Sequence, residues 1–342
     1  MTAPAEFPAA TAAQWRELAL AALRRSGAAG EDTTPEQVDE LLAAQSYGGP
    51  RIAALHTPED ADTPPTGVPG GFPFVRGARA PQERPGGWDV RQRHADPEPK
   101  EVLQAVLNDL ENGATSLWLV LGDGALAVSD LPEALDGVHL DLAGVTLEAG
   151  DGFAAAADAW FGLLAARGTD PGLVTGGLGA DPVGWQARTG VPGDLGAAAA
   201  LAARCVAEAP GLRAVTTDAT VWHDAGGSEV EELGCATAAG VAYLRALTGA
   251  GLSVREALGQ IEFRWAATAD QFATIAKLRA ARRMWARVAE MCGAPEAGGQ
   301  RQHAVTSAAM MTVRDPWVNL LRTTLAAFAA GVGGADAVTV LP

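Results

Sequence analysis

A histidine beside a carboxylate can take up a proton and give it back, and His223-Asp224 is the adjacent pair of that kind in this sequence. As a general acid, His223 would serve proton transfer at a carbonyl. As an ordinary strand-end residue it would only lead into the Gly226-Gly227 turn. Asp123, Glu148, Asp151, Asp181 and His303 also fall where short apolar runs end. No HExxH, GxSxG or glycine-rich phosphate loop occurs, and nothing has metal-ligand spacing. Cys205, Cys235 and Cys292 are far apart with no CxxC, which reads as reduced thiols rather than a disulfide framework or a zinc site. Two groups of basic residues stand out. Arg76, Arg79, Arg84, Arg91 and Arg93 share a stretch studded with Phe72, Phe74 and Trp88. Placed together, they could hold the phosphates of a long anionic ligand. Lys277, Arg279, Arg282 and Arg283 share one helix, where pairing with surface carboxylates is the plainer reading.

The elements that must position these residues follow from periodicity. Thr11 to Arg25 reads as an amphipathic helix capped by Thr11, and a shorter helix follows Thr34-Pro35. Residues 1–46 therefore form an N-terminal helical segment. From 47 to 100, proline and glycine dominate, and the clustered aromatics favour an extended arm lying on another surface over a solvated linker. From 101 onward, short apolar strands alternate with helices. Strands are expected at Ser116–Leu121, Val145–Leu147, Leu173–Leu178, Ala214–Val221, Ile261–Ala266, His303–Ser307 and Ala337–Leu341. Successive βα steps without a topology reversal predict an α/β fold of the TIM type, a (β/α)8 barrel. On this count an eighth strand is missing, the chain stops inside the seventh, and residues 101–342 form an incomplete barrel of a longer polypeptide. A first βα turn without GxGxxG argues against a dinucleotide fold. Active sites of such barrels lie at the C-terminal ends of the strands.

Composition narrows the classes of partner. Hydrophobic residues are 48% of 342, enough for a sizeable core. A formal net charge of −16 repels phosphate backbones and anionic lipid, so no nucleic-acid or membrane partner is expected. The N-terminus lacks a basic region followed by an apolar core, and no apolar run is long enough to span a bilayer. A cytoplasmic protein is expected.

Four segments, in order, carry a family resemblance. Gly70-Gly-Phe-Pro-Phe-Val-Arg-Gly77 resembles the PF-x-RG segment of methylmalonyl-CoA mutases, and Trp88-Asp-Val-Arg-Gln92 resembles the W-x-x-RQ that follows it. Ile275-Ala-Lys-Leu-Arg-Ala-Ala-Arg-Arg-Met-Trp-Ala286 is similar to the family's IAK-x-RA-x-R-x-WA helix. Asp315-Pro-Trp-Val-Asn-Leu-Leu-Arg-Thr-Thr324, running on to Gly333-Gly-Ala-Asp336, resembles its DP-x-x-N-x-x-RT … GG segment. The resemblance implies a barrel that threads an acyl-CoA thioester along its axis. It also implies a flavodoxin-like domain that binds adenosylcobalamin through DxHxxG, and interconversion of methylmalonyl-CoA and succinyl-CoA. It places Arg76 and Arg91 in the CoA-threading region as vestigial substrate-binding candidates.

Departures from the family pattern direct the functional expectation. The T-M-Y triplet of catalytic members falls on Pro81, Gln82 and Glu83, and the glutamine of GTIQND on Gly179. Their Tyr-His falls on Thr220 and Val221, while His223 takes the place of the next glutamine. QTSG becomes Val305-Thr-Ser-Ala308, AFDLPT becomes Val120-Leu-Gly-Asp-Gly124, and no DxHxxG is present. Loss of these polar groups removes what would orient the thioester carbonyl. The pattern resembles the family's small, non-catalytic subunits. It implies no catalytic, cofactor or metal residue in this chain, with adenosylcobalamin and acyl-CoA held by a homologous catalytic large subunit in a heterodimer. Two alternatives stand beside it. One is a catalytically active acyl-CoA mutase using His223. The other is an accessory, chaperone-like binding protein for the large subunit.

Overall fold

The computed structural model describes residues 10–57, 67–80 and 86–341. They divide into two compact units, Met1–Pro65 and Thr66–Pro342. In the first, helix α1 (Ala12–Arg25) starts at Thr11, whose hydroxyl and main-chain N–H exchange hydrogen bonds with Gln14 in a capping box. Helix α2 (Val38–Leu42) follows, and Asp39 on it pairs with Arg16 of α1 at 2.8 Å. Strands β1 (Ala44–Gln45) and β2 (Arg51–Ile52) make a small antiparallel hairpin.

The second unit is a closed parallel barrel of eight strands. In chain order these are β3 (Asp89–His94), β4 (Ser116–Val120), β5 (Gly144–Glu148), β6 (Gly176–Ala180), β7 (Leu212–Asp218), β8 (Ile261–Ala267), β9 (Arg301–Thr306) and β10 (Ala337–Thr339). Two expectations are corrected here. The barrel is not truncated within a seventh strand, because β10 pairs with both β9 and β3 and closes the ring. The uncounted strand is β3, which lies inside the stretch assigned to the extended arm. Its charged residues alternate (Asp89, Arg91, Arg93), so it lacks the apolar run by which the other strands were read. The second correction is at β7, which ends at Asp218. Thr220 to Asp224 turn into the short helix α8 rather than extending the strand.

The outer layer comprises α3 (Pro99–Glu111), α4 (Leu131–Ala134), α5 (Phe153–Arg167), α6 (Pro182–Thr189), α7 (Leu195–Glu208), α8 (Thr220–Asp224), α9 (Glu229–Gly249), α10 (Val254–Gly259), α11 (Gln271–Met291) and α12 (Val318–Gly333). The apolar core lies between this layer and the strands. On β8, Phe263 and Trp265 face outward and stack at 6.0 Å, and Trp285 of α11 meets Phe263 edge-on at 4.8 Å. Gly240 lets α9 close on that cluster, since a Cβ there would lie 2.7 Å from the Phe263 ring. The PF-x-RG segment lies at the N-terminal ends of β9 and β10, where Gly299 and Gly334 approach the carbonyls of Ala78 and Arg76. Buried Arg282 of α11 donates to the Val75 carbonyl from Nε (3.1 Å) and Nη2 (2.9 Å), and to Gln302 and the Gly333 carbonyl.

Candidate functional site

With Phe263 and Trp265 outward, the period of two in a strand turns Glu262 and Arg264 into the lumen. What they meet there comes from the far wall. The Arg264 guanidinium lies 4.0 Å from the centroid of the Trp118 ring on β4, the strand diametrically opposite β8 in the ring. The same guanidinium donates to Glu148 on β5 (2.6 Å) and to Asp218 on β7 (3.0 Å). Trp118 donates its indole N–H to Glu148 (3.0 Å) and meets the His303 ring of β9 edge-on at 5.3 Å. Below them Arg91 of β3 pairs with Glu262 at 3.1 Å. His303, fully buried, bonds Thr339 of β10 through Nε2 (2.7 Å) and accepts from Arg264 Nε at Nδ1 (3.4 Å). Side chains of seven strands therefore meet on the axis and occupy it.

On opposite sides of this ladder lie two cavities that share no wall residue. One of about 290 Å³ opens at the C-terminal ends of the strands, bounded by Arg93, Glu148, Asp218, Arg264, Val305 and Ser307 among others. One of about 240 Å³ lies at the opposite end, bounded by Arg79, Arg91, Arg213, Glu262 and Arg301 among others. Burial would raise the Glu262 carboxyl, yet the guanidiniums of Arg91, Arg213 and Arg301 hold it below its ordinary value. Burial, reinforced by Arg301, pulls Arg213 down to about 10.

At the C-terminal mouth two aspartates are driven apart in acidity. Asp218 would be raised by burial, but Arg264, the Thr220 hydroxyl (2.6 Å) and Arg188 (3.3 Å) hold it below its usual value. Asp181 has no such cation. Burial and the Asp218 carboxylate push it up to about 7, against hydrogen bonds from Tyr243 (2.5 Å) and the Gly184 N–H (3.1 Å). The Asp181 side chain also caps α6.

His223, on α8, is directed at Ser307, which follows β9. Its Nε2 lies 2.7 Å from Ser307 Oγ, and its Nδ1 lies 3.8 Å from Glu232 Oε2 on α9. Glu232 is fully buried and held by Lys277 of α11 at 2.5 Å and by the Ala266 N–H at 3.0 Å. Burial lowers His223, with Glu232 opposing, so the ring is neutral near pH 7.

The residues singled out from the sequence are not gathered at one place. Arg91 is a buried lumen residue, whereas Arg76 is exposed and lines neither cavity. Glu148, Asp181, His223 and His303 lie in or beside the lumen, and Asp123 and Asp151 are exposed. His223 and Asp224 do not act as a pair, since the partners of His223 are Ser307 and Glu232. Lys277 and Arg282 are buried and committed internally rather than lying on the surface. Pro81, Gln82, Glu83 and Arg84 lie outside the described residues. Gly179 adopts φ +66°, and a Cβ there would overlap the Leu147 carbonyl oxygen. Sequence reasoning missed Trp118, Asp218, Glu262, Arg264 and Ser307. The signal was available in Ile261-Glu-Phe-Arg-Trp265, where charges alternate with large apolar residues at the strand period.

The profile of the family described as methylmalonyl-CoA mutase matches residues 121–342. A Streptomyces virginiae protein named methylmalonyl-CoA mutase small subunit is 55% identical over 339 residues, covering 99% of this chain and 54% of that protein. A Mycobacterium tuberculosis protein named probable methylmalonyl-CoA mutase small subunit is 42% identical, over 96% of this chain and 54% of its own length. The Propionibacterium freudenreichii subsp. shermanii small subunit is 38% identical, over 98% and 53%. The chain spans about half the length of these curated relatives.

Proposed function

The chain belongs to the methylmalonyl-CoA mutase family, and from that premise we propose that it is the non-catalytic partner in a two-subunit acyl-CoA isomerase. It supports a homologous large subunit that holds substrate and adenosylcobalamin and interconverts methylmalonyl-CoA and succinyl-CoA. The small-subunit names of its relatives support this reading. The observation that carries it is the occupied axis. A barrel that threads a pantetheine chain needs an open lumen, and here Arg264, Trp118, Glu148, Arg91, Glu262 and His303 bond to one another across it. Buried charges joined in this way are costly to separate, so substrate binding would not displace them easily.

The described residues do not fit a corrinoid. The C-terminal cavity of about 290 Å³ is small even for an ordinary ligand site, and four of its wall charges, Arg264, Glu148, Asp218 and Arg188, are paired among themselves. No step is therefore assigned to cobalamin in this chain, and Arg76 and Arg91 stay as vestigial substrate-binding candidates. Arg91 is engaged by Glu262 rather than open to a phosphate.

Co-expression with a family large subunit tests the reading. A stable complex whose mutase turnover requires the large subunit's substrate-contacting residues is expected, with turnover insensitive to His223→Ala in this chain. Failure of the two chains to copurify would overturn the partnership.

A further inference from the structure

We propose that Ser307, His223 and Glu232 form a hydrolytic constellation in which Ser307 is the nucleophile, His223 its general base and Glu232 a positioning carboxylate, acting on esters of short acyl groups. Three separate elements bring these residues together: the end of β9, α8 and α9. Ser307 Oγ and His223 Nε2 are 2.7 Å apart, the distance required of a serine and its base. The opposite ring nitrogen, Nδ1, faces Glu232 at 3.8 Å. That carboxylate cannot turn away, because Lys277 Nζ and the Ala266 N–H hold its two oxygens. The proposal puts the ring proton on Nδ1, on the side of Glu232, so that the Nε2 lone pair accepts from Ser307. Ser307 also forms part of the wall of the cavity of about 290 Å³, which limits the substrate to a short acyl chain.

The chemistry is that of acyl transfer to water. Ser307 Oγ attacks the acyl carbonyl carbon and its proton passes to His223 Nε2. The bond from that carbon to the alcohol oxygen breaks, and the departing alcohol takes the proton from Nε2. Water then adds to the acyl-serine, giving a proton to Nε2. Ser307 Oγ leaves with that proton, and the carboxylic acid is released. No metal, cofactor or partner chain takes part, so the proposal is independent of mutase turnover.

The test uses the full chain with 4-nitrophenyl acetate and a serine-directed fluorophosphonate. Wild-type protein should hydrolyse the ester and take the label on the peptide containing Ser307. Ser307→Ala and His223→Ala should each lower kcat/KM at least about a hundredfold, with the double variant no worse than either single one. Ser129→Ala, an exposed serine elsewhere, should leave hydrolysis unchanged. Glu232→Gln should lower kcat while KM stays put. If that variant does not fold, the 15N resonances of the wild-type His223 ring decide, with protonation at Nδ1 supporting the role of Glu232. A ring protonated at Nε2, hydrolysis that survives Ser307→Ala, labelling at another residue, or no hydrolysis by the wild type would each overturn the proposal.

Discussion

The guanidinium of Arg264 lies 4.0 Å from the centroid of the Trp118 ring, although the two residues stand on diametrically opposite strands of the barrel. A cation and an indole can meet in that way only across the axis. Glu148 then ties them together, accepting from both the indole N–H and the guanidinium. The lumen of this chain is thus a structural core with charges in it, and its stability should depend on their pairing.

Arg264→Met should destabilise the barrel by about 3–5 kcal/mol in denaturant unfolding, because it leaves Glu148 and Asp218 without their shared cation in a buried site. Arg287→Ala, which breaks an exposed pair with Glu290, should stay within about 0.5 kcal/mol. Equal effects from the two variants would mean that the lumen pairs are no better buried than surface ones.

Asp181 gives the protein a dependence on neutral pH. Its carboxyl is raised to about 7 in the folded chain and titrates near 3.9 when unfolded, so the folded state binds the extra proton between those values. Stability relative to Asp181→Asn should therefore fall as pH rises from about 4 to about 7, and level off above that. Thermal melts of the pair across this range measure the effect, and parallel curves would contradict it.

His303 acts at the acid side. Burial first, then the charges of Arg91 and Arg264, depress it well below 6.5, so the unfolded chain takes up a proton that the folded chain refuses. The advantage of wild type over His303→Asn should be full above about pH 6.5 and shrink as pH falls below it. An advantage that grew on acidification would place a charged imidazole in the lumen.

Gly179 stands where the resemblance puts the family's glutamine, and its own backbone is left-handed. Gly179→Ala should cost roughly 1–3 kcal/mol from left-handed strain, with the overlap against the Leu147 carbonyl added to it. Gly234→Ala, in helix α9 with open space around it, should be neutral or slightly stabilising. Gly179→Gln should accordingly not restore a substrate contact.

Much of the barrel was legible in the sequence because most strands bury both faces. Ser116-Leu-Trp-Leu-Val120 and Ile261-Glu-Phe-Arg-Trp265 stand out as short, largely apolar runs between helices. Asp89-Val-Arg-Gln-Arg-His94 was not legible by that rule, since its inward residues are arginines that find partners only when the ring closes. The end of β7 was misread for a local reason. Asp218 binds the hydroxyl and N–H of Thr220 and starts a helical turn that apolar periodicity does not reveal. The individual lumen residues Arg91, Glu148 and His303 were visible, but their mutual pairing was not, because each partner lies far away in sequence. The Ser307 contact was hidden in the same way, at a sequence separation of 84 from His223.

The most direct measurement of the central claim is succinyl-CoA formation from methylmalonyl-CoA, with adenosylcobalamin supplied, by the purified chain with and without the large subunit. The occupied lumen predicts no product from the chain alone and turnover once the large subunit is added. Product formed by the chain alone would contradict the account.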